Sequence, residues 1–440
     1  MPGFFRMESG KLKIRRNMKK ISTLLYLLFV LGTFADAQVE YDRYFTDNQL
    51  RIDYYLFGNS DTVSYAVDRF VKEPEWGGPR VHLIDDTGYG MYYFEVTLPD
   101  SDFVLYSHGY CLLFGEWQTT DEAVNVNKGF HESVIMPFPK EPVEVTFYAK
   151  DDHLELHEMM SVIVDPKDPY IMPAPKLPYA VYNVYGGYPS DKAVDIVLLP
   201  DGYTEQEMGK FVSDCNFFME SLFGYAPYDS YRDRFNIRAI MIPSQDSDIS
   251  KPGEGIYKNT ALHCQYWTFG SERYCMTFDN RTMKELAGQV PYDQIYILAN
   301  SPKYGGGGIF NSYCVSSTGN SYSSDVIIHE FGHGFAGLAD EYAYDGTCNY
   351  LLDVEPWEPN ITTLVDFEAK WKDMTEKKTP VPTPVDAKYE KTVGVYEGAG
   401  YQLKGVYRPK IDCLMNTFKG DRFCEVCERA IERMIKIYTE

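Results

Sequence analysis

One stretch limits what this chain can be more than any other: residues 329–341 read HEFGHGFAGLADE. His329 and His333 are four residues apart, so a helix places both imidazoles on one face, where they can reach a single metal ion. Glu330 follows the first histidine, in a position from which a carboxylate can accept a proton from metal-bound water. The alternative is a buried helix with two hydrogen-bonded histidines, and the residues around the motif argue against it.

Those surrounding residues predict a well-defined helix. Residues 325–328 (DVII) lead into the motif as an apolar helical stretch, and Ser323 or Ser324 can cap its N-terminus. Gly337 can adopt the left-handed conformation that ends a helix and turns the chain back. The pattern therefore predicts the site of a zinc hydrolase.

A third metal ligand is predicted just beyond the helix. Catalytic zinc usually takes three protein ligands and keeps a fourth position for water. Asp340 follows Gly337 by three residues, the step that the metzincin pattern uses between its glycine and its third ligand. This chain has one extra residue between His333 and that glycine. Asp340 is the predicted ligand of one zinc ion, Glu341 is the alternative ligand, and a solvated acid on a loop is the competing interpretation of Asp340.

A second constellation lies downstream, where residues 407–416 read YRPKIDCLMN. Metzincins carry a methionine in a tight turn beneath the zinc site, and Met415 is the candidate for it. Residues 428–438 then show one apolar stripe at helical spacing. The chain is predicted to end in a packed helix after this turn.

Four segments together resemble a known family: residues 329–342, the turn at residues 413–415, the tail FCEVCERA from residue 423, and VDIVLLPDGYT from residue 194. They resemble the IgA-peptidase family of zinc metallopeptidases. The resemblance covers residues from about 190 to the C-terminus and extends, less specifically, to the preceding domain. It implies a metzincin-like catalytic domain, one zinc ion and endopeptidase activity on a protein or peptide.

The substrate itself does not follow from the resemblance. The family takes its name from members that cut immunoglobulin A, and immunoglobulin or another glycoprotein is a candidate substrate here. The motif builds the zinc site and not the specificity pockets, so it does not select among substrates.

The predicted mechanism needs a general base and a donor to the oxyanion. Glu330 is the predicted base. Tyr407, shortly before the methionine turn, is the predicted donor to the tetrahedral oxyanion. Tyr342 and Tyr401 are alternative donors.

Charge and the N-terminal residues indicate an exported enzyme. The formal charge of −22 argues against nucleic acid as a partner. The short basic start Met18-Lys19-Lys20 precedes an apolar stretch, residues 24–34, which is too short to span a membrane. ADA at residues 35–37 fits a cleavage site. We predict a signal peptide over residues 1–37, with Met18 as the natural start, and a periplasmic, cell-surface or secreted protein. No other apolar run is long enough to span a membrane, and no oligomeric state is predicted.

The fold class predicted is α+β, in two domains. Residues 38–164 show short alternating strands separated by turn residues, which predicts a β-sandwich. Residues 165–178 are rich in proline and predict an extended linker. Residues 179–440 change to an α/β pattern and form the predicted metzincin-like zinc-peptidase domain.

Two further segments near the motif have open interpretations. Residues 305–308 are four glycines, and residues 309–315 can form the strand along which an extended substrate pairs. A flexible surface loop is the alternative for this segment. Residues 343–410 have little periodicity and predict a long irregular insertion that supplies walls of the cleft.

The nine cysteines are compatible with export but do not form a dense disulfide framework. Cys264 and Cys275 could bridge a short loop. Cys424 and Cys427 could form a second zinc site or a redox pair, but a single CxxC is a weak signal and a structural role is the preferred interpretation.

Two other functions stay open from the sequence. One is a zinc hydrolase of a non-peptide amide or a glycan-linked substrate. The other is an exported binding protein with a structural zinc. Glu330 beside the ligands speaks against the second, because a purely structural site needs no general base.

Overall fold

The computed structural model describes residues 39–344, 350–418 and 422–440. The predicted signal peptide, residues 1–37, lies outside these residues and stays a prediction. The described residues contain both helices and strands, and the strands form several separate sheets. The fold is therefore mixed α/β. No helix among the described residues is both long and apolar enough to cross a bilayer.

The N-terminal region forms two four-stranded sheets. Its strands are β1 Phe45–Gly58, β2 Val63–Glu73, β3 Tyr92–Thr97, β4 Val104–Tyr110, β5 Lys128–Pro139, β6 Val143–Lys150, β7 Leu156–Val164 and β8 Met172–Pro173, and its helices are α1 Tyr41–Tyr44, α2 Leu113–Gln118 and α3 Asp121–Asn125. The strand orders are β5-β1-β2-β8 and β4-β3-β6-β7. All pairs are antiparallel except the short parallel pair of β2 and β8.

Alternating apolar residues explain why these strands form a core. Leu50, Ile52, Tyr54 and Leu56 of β1 are fully buried, as a period of two predicts for one face of a sheet. The rings of Tyr54 in the first sheet and Phe147 in the second lie 5.2 Å apart. The strands agree with the sequence, and their assignment to a sandwich stays a prediction.

The proline-rich segment is extended but fastened to both of its neighbours. Its β8 pairs with Val71 and Lys72 of β2. The Leu177 backbone N–H donates to Gln289 Oε1 at 3.0 Å, after the helix α5, Asn280–Ala287. The segment therefore lies along the protein surface and is not a free spacer.

The C-terminal region is built on a six-stranded sheet. Its elements are β9 Val181–Tyr185, β10 Val194–Asp201, α4 Met208–Leu222, β11 Phe235–Ile240, β12 Gln294–Ala299, β13 Gly306–Ile309, β14 Tyr313–Ser317, α6 Ser323–Ala336, β15 Tyr396–Ala399, β16 Gln402–Arg408 and α7 Glu425–Thr439. The strand order is β13-β14-β12-β10-β11-β9, with parallel pairing in the centre and an antiparallel strand at each edge. Every residue of β10 is buried, as its apolar run predicts.

The glycine run corrects the prediction for residues 309–315. Ile309 ends β13, residues 310–312 form a turn, and residues 313–315 belong to β14. The edge strand is β13, which contains three of the glycines. A Cβ at Gly308 would lie 2.3 Å from the Glu330 carbonyl oxygen. A glycine is required at residue 308 because the strand packs there directly on the backbone of α6. The glycines of β13 therefore do not form a loose surface loop.

Packing joins the two regions. Arg69 of β2 forms an ion pair with Glu285 of α5 at 2.7 Å, and Asn280 donates to Ser133 Oγ at 2.9 Å. The Cys111 N–H donates to the Phe310 carbonyl at 2.9 Å. One hydrophobic cluster contains residues of both regions, so the N-terminal sheets brace the sheet that carries the site. The predicted domain boundaries stay a prediction.

The predicted irregular insertion contains one ordered element. Most of its described residues lie in turns and short 3₁₀ helices, but β15 and β16 form an antiparallel hairpin near its end. Tyr401 occupies the hairpin turn with a left-handed φ of 64°. This hairpin brings a distant part of the chain to the histidine motif.

Candidate metal centre

The histidine motif lies on α6. The end of this helix agrees with the sequence prediction, whereas its start does not. Gly337 ends the helix in the left-handed conformation with φ 62°, as predicted. The predicted serine cap is wrong: the N-cap is Tyr322, and no side chain caps it. The Ser323 hydroxyl instead donates to the Ser317 carbonyl at 2.8 Å, which ties the helix start to β14.

The two histidines face each other on one side of the helix. His329 Nε2 and His333 Nε2 are 3.1 Å apart. His329 Nδ1 lies 3.1 Å from the Leu414 carbonyl, and His333 Nδ1 lies 2.5 Å from the Leu338 carbonyl. A carbonyl oxygen can only accept, so each Nδ1 carries the proton and each Nε2 keeps its lone pair for a metal.

Asp340 completes the cluster after the turn at Gly337. Its Oδ1 lies 3.0 Å from His329 Nε2 and 3.3 Å from His333 Nε2. With the imidazoles neutral, three lone-pair atoms converge and no described hydrogen-bond donor reaches Oδ1. Such an arrangement needs a cation or a proton among the three atoms. Two imidazole nitrogens and a carboxylate oxygen are a donor set that suits zinc, so the residues fit a metal ion.

The electrostatics of the cluster agree with this geometry. Burial alone would raise the pKa of Asp340, but the neighbouring His333 and His329 hold it well below its ordinary value. Burial lowers the pKa of His333, and the Asp340 carboxylate outweighs it and raises the pKa to about 9. The cluster therefore attracts positive charge.

The Glu330 side chain extends from α6 towards β13. A Cβ at Gly306 would lie 3.0 Å from Glu330 Oε1, so the glycine leaves room for this carboxylate. Burial raises the pKa of Glu330 above its ordinary value. A carboxylate with a raised pKa is a better proton acceptor than a solvated one.

The three candidate tyrosines occupy different positions. Tyr342 donates its hydroxyl hydrogen bond to Asp340 Oδ2 at 3.0 Å, and the Tyr401 hydroxyl donates to the same oxygen. Tyr407 lies in β16, where burial and then the Glu397 carboxylate raise the pKa of its hydroxyl against the opposing charge of Lys404. The structure thus brings the two alternative tyrosines to the cluster and places Tyr407 on the hairpin.

The chain matches the family described as IgA Peptidase M64 over residues 184–389 and 385–435. Residues 40–161 match the description Peptidase M64 N-terminus. The chain belongs to the IgA Peptidase M64 family. This confirms the family resemblance, and it makes the protein a peptidase of a metallopeptidase family that acts on proteins or peptides. A comparison with curated proteins finds no match.

Met415 of this M64 peptidase lies beneath the histidine helix. It is fully buried, and a Cβ at Gly332 would lie 3.1 Å from its sulfur. The Met415 carbonyl accepts a hydrogen bond from the Glu341 N–H at 2.7 Å. The turn therefore packs against the helix and also fixes the segment that carries Asp340.

Two features of the M64 site have no clear signal in the sequence. Glu116, from α2 in the N-terminal region, accepts a hydrogen bond from the Tyr274 hydroxyl, and burial raises its pKa to about 7. It is close enough for the charges of His333 and Glu330 to act on it. The Phe418 ring lies 5.8 Å from the His329 ring. Both contacts join residues far apart in the chain, which periodicity does not report.

Proposed function

We propose that this M64 peptidase is an exported, zinc-dependent endopeptidase. The observation that carries the proposal is the convergence of His329 Nε2, His333 Nε2 and Asp340 Oδ1. Glu330 is close enough for the charges of all three residues to act on its pKa. Asp340 rather than Glu341 is the third ligand in this proposal. Export is supported by the signal-peptide pattern of residues 1–37 alone. The metzincin-like fold of the catalytic region and the sandwich of the N-terminal region are part of the same proposal.

The proposed mechanism uses the positions of the side chains. Zinc, when held by these three residues, supplies a Lewis acid that polarises the scissile carbonyl and makes water more acidic. Glu330 accepts the proton of the attacking water and later gives it to the leaving amine. The buried surroundings that raise its pKa suit both transfers, because the group must bind and release a proton near neutral pH.

Two tyrosine hydroxyls orient the third ligand in the proposed mechanism. Tyr342 and Tyr401 both donate to Asp340 Oδ2, which leaves Oδ1 directed at the histidines. Such hydrogen bonds orient a ligand and fix which oxygen it offers. Each of these hydroxyls has a single hydrogen, which it donates to Asp340 Oδ2. We therefore assign this pair to orienting the ligand, and Tyr407 stays the proposed donor to the oxyanion.

The proposal is tested by digestion of a peptide library with the mature chain. We expect cleavage of internal peptide bonds that stops on chelation, returns on addition of zinc and is absent in His333→Ala. His153→Ala, which changes an exposed histidine of the N-terminal region, serves as the control and should cleave as wild type does. Cleavage by His333→Ala at the wild-type rate would contradict the proposal. Release of only non-peptide amides would favour the alternative hydrolase, which family membership does not favour.

A further inference from the structure

A second cluster of ligand atoms lies next to the histidine site, because it includes the residue that follows Asp340. It is formed by four buried residues: Glu341, Cys413, Cys424 and Cys427. The Cys413 and Cys427 sulfurs are 3.8 Å apart, and those of Cys424 and Cys427 are 3.6 Å apart. Cys427 Sγ lies 3.1 Å from Glu341 Oε1. We call these four residues the cysteine cluster.

The sulfur separations fit a shared metal ion better than a disulfide. Tetrahedral zinc with Zn–S bonds of about 2.3 Å holds its sulfurs about 3.8 Å apart. A disulfide needs an S–S bond of about 2.05 Å and could join only two of the three sulfurs. A metal ion would use all three, together with the carboxylate.

The Glu341 carboxylate supplies an independent observation. This side chain is completely buried. Its Oε1 accepts a hydrogen bond from Asn360 Nδ2 at 3.0 Å, whereas no described hydrogen-bond donor reaches Oε2, which is equally buried. A buried carboxylate oxygen without a partner is costly, and a cation would satisfy it.

The backbone around the cluster is arranged as it is around bound thiolates. The Cys424 N–H donates to Cys413 Sγ at 3.2 Å. Cys424 is also the N-cap of α7, and Cys427 lies in its first turn. The positive end of the helix dipole therefore faces the sulfurs and offsets their negative charge.

We propose that Glu341, Cys413, Cys424 and Cys427 hold a second zinc ion with a structural role. Three thiolates and one carboxylate make a soft donor set of four, which selects zinc and leaves no position open for substrate. A redox pair is the weaker explanation, because exchange needs an accessible thiol and Cys424 is 4 % exposed while Cys427 is 0 % exposed.

The second ion would fasten the segments that support the first site. Glu341 follows Asp340, and Cys413 precedes Leu414, whose carbonyl orients His329. Cys424 and Cys427 add the start of α7. One closed metal site would thus join the third-ligand segment, the methionine turn and the C-terminal helix.

The wild-type mature chain provides the first test. Cobalt substitution should give an intense thiolate-to-cobalt charge-transfer band, which the histidine site cannot produce because it has no sulfur. Zinc analysis should give about two ions per chain. Alkylation after denaturation with chelator, without reductant, should modify all three cysteines of the cluster. Absence of the charge-transfer band, or alkylation of only one of the three, would overturn the proposal.

Matched variants assign the band to the cluster. Cys427→Ser should lose the charge-transfer band and one zinc ion per chain, while Cys215→Ser, a buried cysteine of α4, should keep both. His329→Ala with His333→Ala should lose the other zinc and keep the band. A band that survives Cys427→Ser unchanged would contradict the assignment. If Cys427→Ser does not fold, the wild-type spectrum and alkylation pattern still decide.

Discussion

The histidine cluster and the cysteine cluster are neighbours, because each contains one of two consecutive residues, Asp340 and Glu341. Asp340 turns to the histidines and Glu341 turns to the cysteines. The first cluster offers two nitrogens and one oxygen, with Glu330 and two tyrosine hydroxyls beside it. The second offers three sulfurs and one oxygen, and no described residue beside it is placed as a general base.

Their difference separates a site built for chemistry from one built for support. Three ligands leave a metal coordination position available, whereas four buried ligands close it. His333 is only partly buried, whereas Glu341 is completely so. Adjacent acidic residues in the sequence can therefore serve opposite purposes, and the predictions below test that division.

The largest expected effect comes from a pair of variants, Asp340→Asn and Glu341→Gln, each of which replaces a carboxylate with an amide. Asp340→Asn should remove metal from the histidine site and lower kcat/KM by more than about 100-fold, since even residues that only orient ligands contribute about 10- to 100-fold. Glu341→Gln should keep that metal and most of the activity. Metal analysis and peptide hydrolysis on both purified variants measure this. Greater loss in Glu341→Gln would reverse the ligand assignment.

Chelation should distinguish the two clusters in the unchanged protein. A chelator at neutral pH should abolish hydrolysis while the thiolate-bound ion stays, because a closed, buried site releases its metal only when the protein unfolds. Activity and zinc content are followed against time, with the thermal midpoint as the control for folding. Parallel loss of both ions would contradict the division into open and closed sites.

Gly308→Ala tests the contact between β13 and the histidine helix. The new Cβ would meet the Glu330 carbonyl oxygen, which belongs to backbone and cannot move away alone. Overpacking of this kind costs about 1–3 kcal/mol, and displacement of Glu330 should also reduce turnover. Thermal unfolding and kinetics measure the two effects.

Gly209→Ala is the matched control, because nothing lies within 4 Å of its Cβ position in α4. This change should leave activity as it is and keep or slightly raise stability, since alanine favours a helix. Equal destabilisation in both variants would mean that the strand–helix contact is not responsible.

Met415→Leu should have the smallest effect. Leucine nearly conserves the volume of methionine, so the free energy of unfolding should fall by less than about 1.5 kcal/mol. Metal in both clusters and most of the activity should remain. Loss of metal from the histidine site in this variant would show that Met415 does more than pack beneath α6.

Local features of the fold were predictable from sequence, whereas long-range pairings were not. The left-handed Gly337 follows from short-range chemistry and is present. The serine cap failed because Ser323 is used to join two elements instead. Cys264 and Cys275 are free thiols in the structure, not a bridge.

The candidate site likewise combines residues from one short segment, which were predictable, with residues from distant segments, which were not. Residues 329–340 contain the histidines and Asp340 within one short pattern, so their convergence could be expected. Tyr401 lies within an insertion without periodicity, and the three cysteines of the cluster lie beyond it. Only the three-dimensional path of the chain brings them to Asp340 and Glu341.

Turnover and zinc content of Glu330→Gln, measured on one preparation, test the central claim most directly. Glutamine keeps the shape of the side chain but cannot accept the proton. We predict unchanged zinc and a loss of kcat of about 10²–10⁴-fold, the usual contribution of a general base, while Glu390→Gln, an exposed glutamate, behaves as wild type. Retention of wild-type turnover by the zinc-loaded Glu330→Gln chain would contradict the account.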